Sequence, residues 1–293
     1  MKLSVALFST LLVSSAFAQS PGVHLKVAAV QFRSSSNVAD NTTRIVQAIE
    51  RLAAEGVNVA VFPECALTGY DKASVTATAE ELLAGEERVR QTCAGHKIAA
   101  VVGTPYKVNG RTYNAAVIFN SAGELVERYA KVQLAGEAWA TPGNHLAYFE
   151  LEGVPSTVIV CHDERYPELI RLPAMQGARV VYYISHESGM KEEAKLVPYR
   201  AQMMARAVEN QVFVVAANAP ANPDLSGSHG QSRIIASDGN VLREASFFRE
   251  ETLIETLAIK PGRLQRPLER GPMAAWWREG LDWMMKNRNR KLE

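Results

Sequence analysis

The chain has 293 residues, 47% of them hydrophobic and 22% charged, which is enough apolar material for one or two globular domains with full cores. Removing a leader at 1–18 takes away Lys2 and leaves 31 basic and 31 acidic residues. This balance argues against nucleic acid or an anionic membrane surface as a partner.

The leader has the form of a secretory signal peptide. Lys2 is followed by a mostly apolar run and by Ala16-Phe17-Ala18, a small–x–small cleavage pattern. The alternative is an uncleaved anchor helix, but the run is shorter than the roughly 20 residues that a membrane span needs. We therefore expect cleavage after Ala18 and a periplasmic or secreted protein.

The first half of the remaining chain alternates strands with helices. Apolar runs predict strands at 25–32, 57–62 and 98–102, and helical spacing of apolar residues predicts helices at 38–55 and 79–96. This order is typical of an α/β fold.

The second half adds antiparallel pairs to this pattern. Two runs around a Ser-Ala-Gly-Glu turn predict a hairpin at 113–120 and 125–129. The elements predicted after it are strands at 156–160, 179–184 and 212–217, helices at 168–176 and 192–210, and a last antiparallel section at 231–237, 241–245 and 252–259. We predict one domain at 19–260 with mixed sheets, and an apolar tail at 261–293 that packs on this domain or on a partner subunit.

Several common kinds of site have no matching motif. The sequence lacks the glycine-rich loops of phosphate and dinucleotide sites, the Gly-x-Ser-x-Gly elbow, Cys-x-x-Cys and His-Glu-x-x-His. Its six histidines have no metal-ligand spacing, so we expect neither a metal nor an organic cofactor.

Three reactive side chains each follow a predicted strand, where α/β sheets bind ligands. Glu64 comes after Phe62-Pro63 and could be a general base, or simply a solvated turn acid. Lys131 lies in an apolar stretch and could stabilise an oxyanion, or extend to the surface. Cys161 ends an apolar run before a charged turn and could be a nucleophile, or a buried small hydrophobe.

Taken in order, these segments resemble the nitrilase superfamily of carbon–nitrogen hydrolases. The matching segments are Phe62-Pro63-Glu64, Lys131 to Leu134, and Cys161 to Glu168, and the lysine lies 67 positions after the acid and 30 positions before the cysteine. Further stretches that fit are Tyr113-Asn114-Ala115, 206–210, Ala217-Asn218 and 230–232.

The resemblance implies a four-layer α-β-β-α sandwich that pairs into a homodimer or a larger homo-oligomer. It also implies that Cys161 is the nucleophile and Glu64 the general base and acid. Lys131 and the backbone N–H of His162 would stabilise the oxyanion, and Glu137 would be the family's second glutamate.

The residues around the nucleophile favour amide or N-carbamoyl substrates. Nitrile-cleaving members typically have Cys-Trp-Glu at this point, whereas this chain has Cys161-His162-Asp163. Arg165 could bind a substrate carboxylate, or pair with a neighbouring acid. By the resemblance, the polar loop with His186 and Glu187 lines the acyl pocket, so we expect a polar or charged substrate.

Three other hypotheses stay open at this point. They are nitrile hydrolysis on the same residues, a papain-like peptidase that pairs Cys161 with a remote histidine, and a non-catalytic binding protein on this fold. The cysteine count is odd, at three, so at least one thiol is left over in an oxidising compartment. We expect all three to be reduced, with a Cys65–Cys93 bridge as the alternative.

Overall fold

The structure is a computed structural model that describes residues 22–70, 72–190, 196–260, 273–288 and 290. The predicted signal peptide at 1–18 lies outside the described residues. The same holds for the start of the predicted helix, at 192–195, and for the first part of the tail, at 261–272.

Strands and helices follow one another much as the apolar patterns predict. The strands are β1 (Val23–Gln31), β2 (Val59–Val61), β3 (Ala99–Val108), β4 (Arg111–Phe119), β5 (Leu125–Ala130), β6 (Phe149–Leu151), β7 (Val154–Val160), β8 (Val180–Ser185), β9 (Phe213–Asn218), β10 (Arg233–Ile235), β11 (Val241–Glu244) and β12 (Glu251–Ile259). The helices are α1 (Val38–Ala54), α2 (Lys72–Thr76), α3 (Ala79–His96), α4 (Glu168–Gln176), α5 (Leu196–Asn210) and α6 (Met273–Asn287), and a 3-10 turn spans Cys161–Arg165.

Two six-stranded sheets form the centre of the described part of the molecule. Their strand orders are β12-β1-β2-β3-β4-β5 and β11-β10-β9-β8-β7-β6. In each, three neighbouring strands run parallel, β1-β2-β3 in one and β7-β8-β9 in the other. Two of these parallel strands, β2 and β8, are buried at every residue, as expected for strands covered on both faces.

The packing makes four layers. Val61 and Val101 of the first sheet share one apolar cluster with Val158 and Tyr182 of the second, so the two sheets pack face to face. A second cluster joins the outer face of the first sheet to α1 and α3, and a third joins the outer face of the second sheet to α4, α5 and α6. The predicted α-β-β-α sandwich is confirmed.

Two strand segments were missed, and the same kind of turn explains both. β3 continues to Val108 and turns into β4 at Asn109-Gly110, where both residues have positive φ (49° and 73°). β6 turns into β7 at Glu152-Gly153, again with positive φ at both residues (50° and 74°). Asn-Gly between strands is a strong hairpin signal, so the first of these could have been read from the sequence.

The three cysteines are unpaired, and Cys65 and Cys93 are buried. The structure has no Cys65–Cys93 bridge, and the reduced state of the three thiols stays a prediction. Among the described residues, no group of histidine, cysteine and acidic side chains could hold a metal ion. No helix in the described ranges is long and apolar enough to cross a bilayer.

The end of the tail forms α6, which packs on its own subunit. Met284 is fully buried against the second sheet's helical layer, and a Cβ added to Gly280 would lie 3.3 Å from Leu172 of α4. Trp276 and Trp283 face outward, each about half exposed (51% and 49%). The helix therefore both closes the core and presents an aromatic outer face.

We predict that Met284→Ala lowers the free energy of unfolding by about 2–5 kcal/mol, because it leaves a cavity under α6. The measurement is denaturant unfolding followed by fluorescence. Lys286→Ala, on the exposed side of the same helix, is the matched control and should change stability by less than about 0.5 kcal/mol. Equal losses in the two variants would contradict this packing.

Candidate active site

The ends of three strands bring the three predicted residues together. Glu64 follows β2, Lys131 follows β5, and Cys161 follows β7 on the opposing sheet. Lys131 Nζ lies 3.1 Å from Glu64 Oε1, and neither side chain is exposed to solvent. The site is therefore assembled across the seam between the two sheets.

Several donors hold the Glu64 carboxylate in place. Asn114 Nδ2 donates to Oε1 over 2.6 Å, and the backbone N–H of His186 donates to Oε2 over 2.7 Å. With Lys131 on Oε1, both oxygens are engaged, which fixes the orientation of the group. The carbonyl of His186 lies 3.9 Å from Cys161 Sγ, so the loop that orients the acid also adjoins the thiol.

Lys131 lies between two carboxylates. Burial alone would lower the pKa of Lys131, but Glu64 and Glu137 outweigh burial and raise it well above its usual value. Glu137 accepts hydrogen bonds from Lys131, from the backbone N–H of Ala135 and, over 3.0 Å, from the Tyr70 hydroxyl. Although burial opposes it, the Lys131 charge keeps the pKa of Glu137 below its usual value. Lys131 therefore remains a cation.

Cys161 opens the 3-10 turn with a positive φ of 46°, a conformation that L residues rarely adopt. Asp163 stabilises this turn by accepting from the Val160 and Gln133 backbones, over 3.1 and 2.8 Å, and from the Tyr129 hydroxyl, over 2.8 Å. Such backbone strain persists only where the surroundings fix it, and it is common at active sites.

Burial and the Glu64 carboxylate raise the pKa of the Cys161 thiol well above its usual value, and Lys131 opposes them. These effects favour the neutral thiol over the thiolate. A thiol in this state needs a base to remove its proton during attack, and Glu64 is the carboxylate that acts most strongly on it.

A cavity of about 350 Å³ adjoins the thiol. All four predicted substrate residues line it: His162, Arg165, His186 and Glu187. The His186 ring stacks on Tyr70 at a centroid distance of 4.7 Å, which joins the cavity wall to the Glu137 hydrogen bond.

Sequence reasoning gave no role to several residues of the site. Asn114 belonged to a stretch that fitted the resemblance, but nothing local marks it as a partner of Glu64. Tyr70 and Glu164 also line or support the site without a periodic signal. At Gly103 an added Cβ would lie 2.1 Å from the Pro63 carbonyl oxygen and 2.6 Å from Glu64 Cα, so the loop that carries the acid needs glycine beside it.

Comparison with known proteins gives the same family as the motifs. The family described as carbon-nitrogen hydrolase matches residues 26–265. The chain belongs to this family.

A 2-oxoglutaramate amidase from Bacillus subtilis (strain 168) is 35% identical over 204 residues, covering 67% of this chain and 76% of that protein. An omega-amidase from Homo sapiens is 25% identical, covering 78% and 86% of the two chains. Among solved structures, an amidase from Nesterenkonia sp. superposes with a TM-score of 0.74 at 26% identity, covering 83% of this chain and 94% of the other.

The chain is accordingly an amidase-like hydrolase of carbon–nitrogen bonds, and the predicted membership of the nitrilase superfamily is confirmed. The papain-like alternative is wrong, because the fold and the family differ from it. An amidase of this superfamily uses an active-site cysteine, and Cys161 is the cysteine at the cavity.

We predict that Cys161→Ala abolishes turnover, because no covalent intermediate can form. Glu64→Gln and Lys131→Met should each lower kcat by on the order of 10²-fold or more, as removal of a base or an oxyanion donor does. The measurement is ammonia release under saturating amide. The matched control is Cys93→Ala, which removes a buried thiol on α3 and should keep turnover. Activity of Cys161→Ala close to wild type would contradict the assignment.

Proposed function

We propose that the protein hydrolyses the terminal amide of a small carboxylate-bearing compound and releases ammonia. The observation that carries this proposal is the buried Glu64–Lys131–Glu137 cluster, placed behind a cysteine that opens onto a polar cavity. The relative at 35% identity is a 2-oxoglutaramate amidase, and others are omega-amidases, which supports a substrate of this kind.

In the first half-reaction Glu64 takes the proton of Cys161 as the sulfur attacks the amide carbon. The oxyanion is stabilised by Lys131 and by the backbone N–H of His162. Glu64 then gives its proton to the departing nitrogen, the carbon–nitrogen bond breaks, and ammonia leaves a thioester behind. Lys131 is suited to this role because its two carboxylate neighbours keep it charged although its side chain is fully buried.

In the second half-reaction Glu64 removes a proton from water as the water oxygen attacks the thioester carbon. The carbon–sulfur bond breaks, the thiol of Cys161 is restored with the proton from Glu64, and the acid leaves. The acid and the lysine return to their starting charges, so each cycle consumes only amide and water.

Arg165 is the residue we propose for the carboxylate of the substrate. Its Nη2 donates to the Tyr199 hydroxyl over 2.7 Å, and this contact fixes the plane of the guanidinium at the cavity wall. A fixed guanidinium can present two parallel N–H donors to a carboxylate.

We predict that glutaramate is hydrolysed with a kcat/KM at least about tenfold above that of valeramide, which has a methyl group in place of the carboxylate. Arg165→Met should lower the value for glutaramate far more than that for valeramide. The assay is ammonia release, with an N-carbamoyl amino acid and glutaronitrile as further substrates. A preference for either of these, or equal rates on the first two amides, would contradict the proposal.

We also propose that the protein is exported and forms a homodimer. The leader pattern ending at Ala18 supports the first point, and the two half-exposed tryptophans on α6 support an outer face that a second copy could cover. The N-terminal mass of the natively exported protein should correspond to a start at Gln19, and light scattering at micromolar concentration should give twice the chain mass. An intact Met1, or a monomer, would contradict these proposals.

A further inference from the structure

A second carboxyl cluster lies in the wall of the cavity, outside the Glu64–Lys131–Glu137 group. Glu164 and Glu187 both line the cavity, and both side chains are nearly inaccessible to solvent. The Tyr183 hydroxyl lies between them, 2.9 Å from Glu164 Oε2 and 2.6 Å from Glu187 Oε1. The proposed cysteine chemistry gives these two acids no role.

The bridging hydroxyl decides how many protons the cluster holds. A phenol carries one hydrogen, so Tyr183 can donate to only one of the two carboxyls. The second carboxyl can form a hydrogen bond with Tyr183 only if it is protonated, so that its own O–H donates to the tyrosine oxygen. Two buried carboxylates around one hydroxyl would otherwise repel each other.

We assign the proton to Glu164, because Glu187 makes the shorter contact with Tyr183 and lies beside the His229 ring, and because its surroundings lower the pKa of Glu187 while they raise that of Glu164. His229 Nε2 lies 2.9 Å from Glu187 Oε2, while its Nδ1 lies 3.1 Å from the Ser188 carbonyl oxygen. Tyr183 therefore donates over its shorter contact to Glu187, and Glu164 donates to Tyr183. Burial and the neighbouring Glu187 raise the pKa of Glu164 to about 9.

Charged and titratable groups face Glu164 from every described element around it. They are Cys161 and Arg165 on its own turn, Tyr183 and Glu187 from β8 and the loop after it, Tyr199 from α5, and Arg233 from β10. Arg165 and Arg233 oppose the rise in the pKa of Glu164, but burial and Glu187 prevail over both.

We propose that Glu164 is a specificity-determining residue, which admits an anionic acyl group to the cavity only while it is protonated. This inference rests on the proposed hydrolysis of carboxylate-bearing amides. As a neutral acid, Glu164 adds no charge to the wall that the substrate carboxylate approaches. As a carboxylate beside Glu187, it would repel that group while leaving an uncharged acyl chain unaffected.

The test compares amides that share three methylenes and differ only at the far end. Glutaramate is anionic, valeramide is neutral and 4-aminobutanamide is cationic. We expect the ratio of kcat/KM for glutaramate to that for valeramide to fall about tenfold between pH 7 and pH 10, because only the protonated fraction of Glu164 accepts the anion. Taking the ratio cancels any pH dependence of the chemical steps that the two substrates share.

Glu164→Gln is the matched variant, since glutamine keeps the shape and can donate to Tyr183 but cannot ionise. Its ratio should stay constant over the same pH range. A wild-type ratio that does not change, or a ratio that falls equally in the variant, would overturn the inference. So would a preference for 4-aminobutanamide at pH 7.5, which would make the two acids a cation site.

A second measurement needs no variant. Part of Glu164 is ionised at alkaline pH, so glutarate binding to the wild-type protein at pH 9 should take up a fraction of a proton, seen by calorimetry in buffers of different ionisation enthalpy. Binding without proton uptake would overturn the inference. If glutaramate is turned over at pH 7 but the ratio of its kcat/KM to that of valeramide does not change with pH, only this inference is overturned. If valeramide is turned over well at pH 7 and glutaramate is not, the proposed function is overturned as well.

Discussion

The structure depends on a lysine buried between two carboxylates. Lys131 is fully inaccessible to solvent, and an ammonium there is tolerable only because Glu64 and Glu137 both reach it. Removing one partner of a buried ion pair typically costs about 3–5 kcal/mol, because the other charge is left uncompensated. A chain that keeps Lys131 at this position must therefore also keep the turn after β2 and the loop after β5 in place.

The site lies between the two sheets because each sheet supplies part of it. The first sheet supplies the acid and the lysine from β2 and β5, and the second supplies the thiol from the end of β7. His186, just past β8 of the second sheet, donates its backbone N–H to Glu64 of the first. The apolar cluster between the sheets thus sets the distance between Glu64 and Cys161, and a register shift in either sheet would move one of them away.

The features that could be predicted from the sequence are strands, helix ends and caps, which depend on residues close together along the chain. The strands before Glu64, Lys131 and Cys161 were visible as apolar runs, and α3 and α4 begin and end where their periodicity predicted. Thr78 and Glu81 form a capping box at the start of α3, a signal that spans only four residues.

What was missed depends on contacts between distant segments. Asn114 reaches Glu64 across 50 positions, and the Glu164–Glu187 cluster depends on a tyrosine from β8 and a histidine from the loop before β10. A hydrogen bond between segments so far apart leaves no periodic trace, whereas a hairpin turn or a cap does. The resemblance carried roles only onto residues that match the family's motif, so it gave no role to Glu164.

The two carboxyl clusters illustrate how burial alone leaves the charge of an acid undecided. Glu137 and Glu164 are both buried near the same site, and burial pushes the pKa of each upward. Lys131 reverses that effect for Glu137, whose pKa falls, while Glu187 adds to it for Glu164, whose pKa rises to about 9. Glu137 therefore carries its negative charge beside Lys131, whereas the surroundings of Glu164 favour its protonated form. When the pKa values of two acids are shifted in opposite directions in this way, one site can hold a charged carboxylate and a protonated carboxyl at the same pH.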